Sequence, residues 1–409
     1  MIDFRPFHAW RPAPEAAASV ACVPYDVIDT AEARALVVDH PQSLLWATRP
    51  DIALPDDADM HSPAAYAVAL AAWQRLRAEG ALQQDPFPGF FVYAQTMEGR
   101  RQVGIAGLAS AADYAAGRIK KHEYTRPDKE DDRKAHMEAV GAQLEPVFLA
   151  CRANAELDAW LERCIARPPE VDFVAPDGVR HEVWPVFNPL AVAFLVGIFG
   201  EVGDLYIADG HHRTAAAARV GEGHPAEDDR NHFLAVVFPH TQLRILPYNR
   251  IVTDLQGATP AAFRAALAAE WTVEPADGPV APTERLHVGM YLDGGWYHLH
   301  LRPGCHPDTA DPVARLDVSV LQDRVLGPLL GITDPRTSTR IRFVGGIRGL
   351  VPLEAGAQAT GGVAFSLPPA SLEDLMAISD AGHVMPPKST WFEPKLRSGL
   401  FVHHFDAEK

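Results

Sequence analysis

Five consecutive residues, Asp209-Gly210-His211-His212-Arg213, lie between the apolar run Leu205-Tyr206-Ile207-Ala208 and an alanine-rich run that starts after Thr214. This order predicts a strand, a tight turn and a helix. A helix N-terminus presents backbone N–H groups that lack intrahelical partners, together with the positive end of the helix dipole. Gly210 permits an unusual turn and close approach to the main chain. His211, His212 and Thr214 add polar groups, and Arg213 can grip an anion through two N–H groups. The chemistry is that of a phosphate cradle. The same residues also fit an ordinary capped helix, with Asp209 as N-cap and the histidines as surface donors.

A second cluster, Lys120-Lys121-His122-Glu123, is followed by Arg126, Asp128 and Arg133. Phosphoryl transfer needs cations on the phosphates and a carboxylate that orients the attacking hydroxyl. Glu123, flanked by cations, is the expected carboxylate; Asp209 and His212 complete the candidate catalytic set. Lys120 and Lys121 would contact phosphate, while His122, Arg126 and Arg133 would face substrate. The alternative is a solvated helix with i,i+4 pairs such as Asp132 with His136 or Glu130 with Lys134. His122 and His136 are too far apart for a one-turn ligand pair, and no dedicated metal site is expected. A magnesium ion carried by a nucleotide needs only one or two carboxylates, for which Asp209 and Glu123 are candidates. The third cluster, Lys388-Ser389-Thr390 after two prolines and followed by Lys395, can hold a phosphate or a substrate carboxylate; the alternative is a folded-over tail with Trp391 and Phe392 buried. Tyr25-Asp26 either lines a pocket or forms a buried turn. The glycine-rich run at 343–349 reads as a turn, and His403-His404 as a solvated tail.

Elements must position these groups. A helix is predicted over 30–38 with Thr30 as its cap, and an amphipathic one over 63–79, where Pro63 suits the first turn. Strand patterns cover 90–95, 102–109, 146–151 and 233–238. Pro127 marks a loop-to-helix junction. Residues 190–199 form the longest apolar run and read as a buried element, too short to span a bilayer. Further on, a helix over 261–270 precedes a hairpin, 287–292 and 296–301, turned by Asp293-Gly294-Gly295. Residues 316–326 read as helical.

The 409 residues suggest two to three domains. A net charge of −16 disfavours coating of a nucleic-acid duplex, which needs clustered Lys and Arg. Apolar and charged contents of 47% and 22% are those of a globular chain, so whole-chain disorder or coiled coil is excluded. Four widely spaced cysteines and the absence of an apolar N-terminal run point to a reduced, cytoplasmic protein.

The run YIADGHHRTAAA resembles the signature of the domain-of-unknown-function 1015 family of bacteria and archaea. Other blocks do so in order: VPYDVID at 23–29, IKKHEYTRPDKEDDR at 119–133, ILPYNRIV at 245–252, LDVSVLQD at 316–323 and MPPKSTWFEPKLRSGL at 385–400. The family usually carries His where this chain has Asn249. The DGHHR block is also similar to the phosphate-binding motif of the ParB–sulfiredoxin-like superfamily, which includes nucleotide-dependent free-serine kinases. In those kinases the motif binds nucleotide phosphates and an upstream Glu acts on the substrate hydroxyl. The resemblance implies a mixed α/β (α+β) fold with an N-terminal α/β region over 1–115, a ParB–sulfiredoxin-like core over 116–255, and a C-terminal α/β region over 256–409 whose basic tail folds back on the site. It implies ATP or ADP with Mg2+ as cofactors and a small polar metabolite such as L-serine as acceptor. Membrane and nucleic-acid partners are not expected, and a homo-oligomer is compatible. A non-catalytic nucleotide-binding module and a phosphoanhydride or phosphoester hydrolase remain open alternatives.

Overall fold

The structure is a computed structural model that describes residues 1–225, 227–308 and 310–405. The fold is mixed α/β, and the chain packs as two compact units. Met1–Leu243 and Pro394–Lys409 make the first unit; Arg244–Glu393 make the second. These boundaries differ from the three expected regions: 1–115 and 116–243 share one unit, because their strands interleave in one sheet.

That sheet has nine strands: β1 (Phe4–Arg5), β2 (Phe90–Met97), β3 (Arg100–Ser110), β4 (Ile119–Lys120), β5 (Val147–Cys151), β6 (Val171–Val174), β7 (Arg180–Val186), β8 (Leu205–Asp209) and β9 (His232–Pro239). Their spatial order is β4-β8-β5-β9-β3-β2-β7-β6, with β1 added on β3. The β4–β8 and β5–β9 pairs are parallel and the others antiparallel. Continuous apolar runs such as Phe90-Phe91-Val92-Tyr93-Ala94 suit strands that are buried on both faces. Gly107 permits the core to close, since a Cβ there would lie 2.8 Å from the rings of Phe4 and Phe90.

Five helices matter for the site: α1 (Thr30–Val37), α2 (Pro63–Ala78), α3 (Pro127–Val140), α4 (Pro189–Glu201) and α5 (His211–Gly221). The cap of α1 is Asp29, not Thr30. Asp29 Oδ1 accepts the Glu32 N–H (2.8 Å) while Glu32 Oε2 accepts the Asp29 N–H (2.9 Å), a reciprocal pairing open to an acid at this position. In α3, Pro127 takes the first turn, where its missing N–H costs nothing. Of the i,i+4 pairs named in the alternative reading neither forms: Asp132 binds His61 and Tyr66, Glu130 is met by Arg219, and Lys134 makes its i,i+4 pair with Glu138 instead. α3 packs on both α5 and α2.

Two expectations are corrected. The apolar helix α4 is buried only through Leu195, Ile198 and Phe199, whereas Leu190 is 83% exposed and Val196 45% exposed. His403-His404 is no solvated tail: it pairs with Ala142–Gln143, and buried His403 donates from Nε2 to the Asp229 carbonyl at 3.1 Å. The four cysteines are free, three of them buried.

The second unit holds a six-stranded antiparallel sheet of β10 (Tyr248–Val252), β11 (Trp271–Ala276), β12 (His287–Leu292), β13 (Gly295–Leu301), β14 (Ile341–Gly345) and β15 (Val363–Ser366), in the order β11-β13-β12-β15-β10-β14. Asp293 and Gly294, both at positive φ (51° and 82°), turn the β12–β13 hairpin as expected. Gly345 belongs to packing, not ligand binding: a Cβ there would sit 2.7 Å from the Trp391 ring. Asn249 is buried and its Oδ1 accepts the Leu367 N–H at 3.1 Å, a structural role.

Candidate functional site

The ends of β8 and α5 fix the site. The β8–β5 register shifts between Ile207 and Asp209, so that Asp209 closes the strand opposite Phe148. Such an irregularity re-aims a side chain. Asp209 is therefore a strand residue and not the helix cap. Gly210 caps α5 in the left-handed conformation (φ 93°, ψ 32°) and, having no side chain, offers no acceptor to the first-turn N–H groups. Those N–H groups and the dipole of an 11-residue helix point to anion binding. Thr214 is fully buried and donates from Oγ1 to the Gly210 carbonyl (3.0 Å), bracing the turn.

Two cations converge on Asp209. Lys395 Nζ lies 3.2 Å from Asp209 Oδ2, and Arg213 Nη2 lies 3.6 Å from the same oxygen. Burial alone would lift the Asp209 carboxyl; Lys395 and Arg213 outweigh it and hold the group well below the usual carboxylate range. Arg213 differs from its expected role. It is buried, its Nη1 donates to the Pro146 carbonyl at 2.6 Å, and its guanidinium packs beneath Gly210, where a Cβ would meet it at 3.1 Å. Burial opposes its charge, but Asp26, Asp209 and Glu145 more than compensate and keep it cationic. Lys395, 17% exposed, is the more accessible cation. Its backbone is held by a buried cross-strand pair: Gln102 donates to Gln95 (2.9 Å), and Gln95 donates to the Lys395 carbonyl (2.8 Å).

The loop over 121–126 lies against the helix start. The His122 N–H donates to His211 Nε2 (3.5 Å), and the Arg126 N–H donates to His212 Nδ1 (3.4 Å). An accepting Nδ1 leaves the His212 proton on Nε2. The His122 and His211 rings meet edge to face at 4.5 Å. Burial holds His122 at about 4; burial followed by the His122 charge holds His211 well below its ordinary value, and burial also lowers His212. All three rings are therefore neutral near pH 7. Glu123, half-buried, sits in this loop between His122 and Arg126. Lys121 is exposed, and its charge reaches His211.

Tyr25 and Asp26 join the site from another direction. Arg133 stacks over the Tyr25 ring at 4.1 Å, and the Asp26 charge acts on His212 and Arg213. Arg49 secures this turn by donating to the Tyr25 carbonyl (2.8 Å) and pairing with Asp51 (2.7 Å). Beneath lies Glu145, which accepts the Tyr25 N–H (3.1 Å) and the Ser398 hydroxyl (3.3 Å). Burial lifts its carboxyl, and Arg213 and Arg133 offset only part of that.

Sequence reading brought Tyr25, Asp26, His122, Glu123, Arg126, Arg133 and residues 209–214 to one neighbourhood, as the structure does. It named Lys395 in a basic tail expected to fold back on the site, without its pairing to Asp209, and it did not single out Glu145. The available signal for Glu145 was an acid directly before the Pro146 entry to a buried strand. Lys120 is engaged elsewhere, paired with Asp204 at 2.7 Å. Lys388, Ser389 and Thr390 belong to the second unit. There Lys388 Nζ lies over the Tyr248 ring (5.6 Å) and buried Ser389 donates to the Pro386 carbonyl (2.6 Å). Only from Pro394 onward does the basic tail pack with the first unit.

The chain belongs to the family described as "Protein of unknown function (DUF1015)", whose model matches residues 4–319. The family resemblance is thereby borne out for the blocks at 23–29, 119–133, 206–217 and 245–252, which lie inside the match, whereas the block at 385–400 lies beyond it. Curated proteins gave no match. Among solved structures, the chain is similar to SbnI with C-terminal truncation from Staphylococcus aureus, at 13% identity over 74% of this chain and 90% of that one, with a TM-score of 0.41. A conserved hypothetical protein from Pyrococcus furiosus is 13% identical over 70% and 92%, with a TM-score of 0.33. A free serine kinase mutant in complex with AMP is 11% identical over 69% and 89%, also with a TM-score of 0.33. Among the described residues no helix is long and apolar enough to cross a membrane.

Proposed function

We propose that the first unit is a ParB–sulfiredoxin-like core that binds the phosphates of ATP or ADP at the start of α5 and transfers a phosphoryl group to a small hydroxylated metabolite. The observation that carries this reading is the Gly210 turn, which leaves the first-turn N–H groups of α5 without a capping side chain beside Lys395. Those N–H groups, the His212 Nε2–H and Lys395 would hold phosphate oxygens. Arg213 and Glu145 act from below, keeping the turn in shape and the local charge in balance. Glu123 would orient the acceptor hydroxyl, since both of its flanking segments dock on the α5 histidines. The donor set fits a nucleotide-borne magnesium ion: Asp209 is ionised and its Oδ2 faces the two cations, so it could offer one carboxylate oxygen to an ion that would otherwise keep its waters. L-Serine is the first acceptor to test, on the strength of the DGHHR resemblance to free-serine kinases.

The test is phosphorus NMR of the protein with ATP or ADP, magnesium and hydroxylated metabolites including L-serine. A phosphoester resonance that requires an acceptor supports transfer and identifies the acceptor. Phosphate released without acceptor would make the site a hydrolase; bound nucleotide with no turnover would make it a binding module. Glu123→Gln should leave nucleotide affinity within a few-fold and slow turnover by about 10²–10⁴-fold, the range for loss of a general base. Unchanged turnover removes Glu123 from the mechanism.

A further inference from the structure

The second unit carries a side-chain cluster with a chemistry of its own. His298 and His300 alternate along β13, so both project from one face, and His287 on β12 is the direct register partner of His300. The intervening residues Leu299 and Leu301 are buried on the opposite face, which leaves the histidines on the solvent side: His287 and His298 half-buried, His300 exposed. His287 Nε2 and His298 Nδ1 are 3.0 Å apart, and the His287 and His300 rings stack at 4.2 Å. One ligand nitrogen from each of the three lies within 4.8 Å of the others.

We propose that His287, His298 and His300 form a three-histidine site for a divalent first-row transition metal, with zinc as its occupant. Imidazole is the ligand class that suits Zn, Cu and Ni. A Zn–N bond of about 2.05 Å at the tetrahedral angle puts ligand nitrogens about 3.3 Å apart. The His287–His298 pair is already near that separation, and the third nitrogen reaches it by rotation of a side chain on the open face. The two ring nitrogens that share a hydrogen bond point at one region; when a dication takes both, the donor ring carries its proton on its other nitrogen, so that each ring presents a lone pair. Metal binding requires the neutral form of each ring. Negative charge lies close by: Glu274 on β11 is the register partner of His298, and the Glu284 charge acts on His287. Three protein ligands leave a fourth position for water, the arrangement of open zinc sites.

The test is titration of the untagged, chelator-stripped full-length chain with Zn2+ by calorimetry and with Co2+ by visible absorption. One equivalent should bind with a Kd tighter than about 10 μM, and Co2+ should give the intense bands of a tetrahedral ion. His300→Ala, at an exposed position, and His298→Gln should each weaken binding by more than the about 10–100-fold that loss of an outer-shell partner costs. His383→Ala, at an exposed residue outside the cluster, should leave it unchanged. Weaker binding, an octahedral cobalt spectrum, or affinity that survives His300→Ala overturns the proposal. The phosphate cradle does not enter this test, so the two readings stand or fall separately.

Discussion

Lys395 and Arg213 both face Asp209 Oδ2, yet replacing them should have opposite consequences. Lys395→Met removes a cation at 3.2 Å from the carboxylate. Coulomb attraction at that distance is about 1 kcal/mol in water and about 5 kcal/mol at an effective dielectric of about 20. Desolvation and side-chain ordering consume most of it, and Arg213 remains to balance Asp209, so folding stability should fall by no more than about 1 kcal/mol. Nucleotide binding loses a charge-assisted hydrogen bond worth about 1.5–3 kcal/mol, a weakening of about tenfold to a hundredfold. Arg213→Met is different. That guanidinium is 4% exposed and balances the charges of Asp26, Asp209 and Glu145. Breaking such a buried pairing costs about 3–5 kcal/mol. The assays are denaturant unfolding and calorimetric titration with a non-hydrolysable ATP analogue and magnesium. A Lys395→Met protein that binds like wild type, or an Arg213→Met protein as stable as wild type, would refute the division of roles.

Acid should destabilise the first unit. Burial holds His122, His136 and His403 at about 4 and His181 at about 3, below an unfolded value of about 6.5. The unfolded chain therefore binds more protons between those limits, and the stability present above about pH 6.5 is lost as pH falls toward 4, on the order of 2 kcal/mol per histidine by pH 5; a denaturation midpoint unchanged from pH 7 to 5 would contradict this. Glu145→Gln keeps acceptors for Tyr25 and Ser398 but removes the charge that Arg133 and Arg213 face. It should cost about 1–3 kcal/mol and speed hydrogen exchange at the Tyr25 amide, and unchanged exchange would detach Glu145 from the Tyr25-Asp26 turn.

What could be read from the sequence is what short range determines. The strand–turn–helix at 205–214 was legible because an apolar run, a glycine and an alanine-rich run each have one local preference, and they agree. The β12–β13 hairpin was legible for the same reason. Helix α4 was misread because apolar composition reports a preference for burial without saying whether the rest of the fold supplies a covering surface. The identity of the α1 cap turned on one residue, within the usual uncertainty of helix ends. Lys395 belongs to the basic tail expected to fold back on the site, but its pairing with Asp209 was not legible: the partner is 186 residues away, and nothing in the neighbourhood of Lys395 distinguishes it from Lys388.

The histidine cluster sits between these cases. Once a two-residue turn at Asp293-Gly294 is accepted, Leu292 faces Gly295, and counting outward places His287 opposite His300 with no further information. The alternation of the strand then puts His298 on the same face. A search for ligands at fixed one-turn or Cys-x-x-Cys spacings passes over the triad, because its ligand geometry is defined by cross-strand register and not by separation along the chain. The cradle at Asp209 has the same logic at longer range. Its helix N-terminus is local, but its accessible cation is delivered by a strand of chain that follows the whole second unit and is anchored by the Gln95–Gln102 pair. Local patterns locate the part of a site that binds by backbone, and sheet register or chain return decides which charges stand beside it.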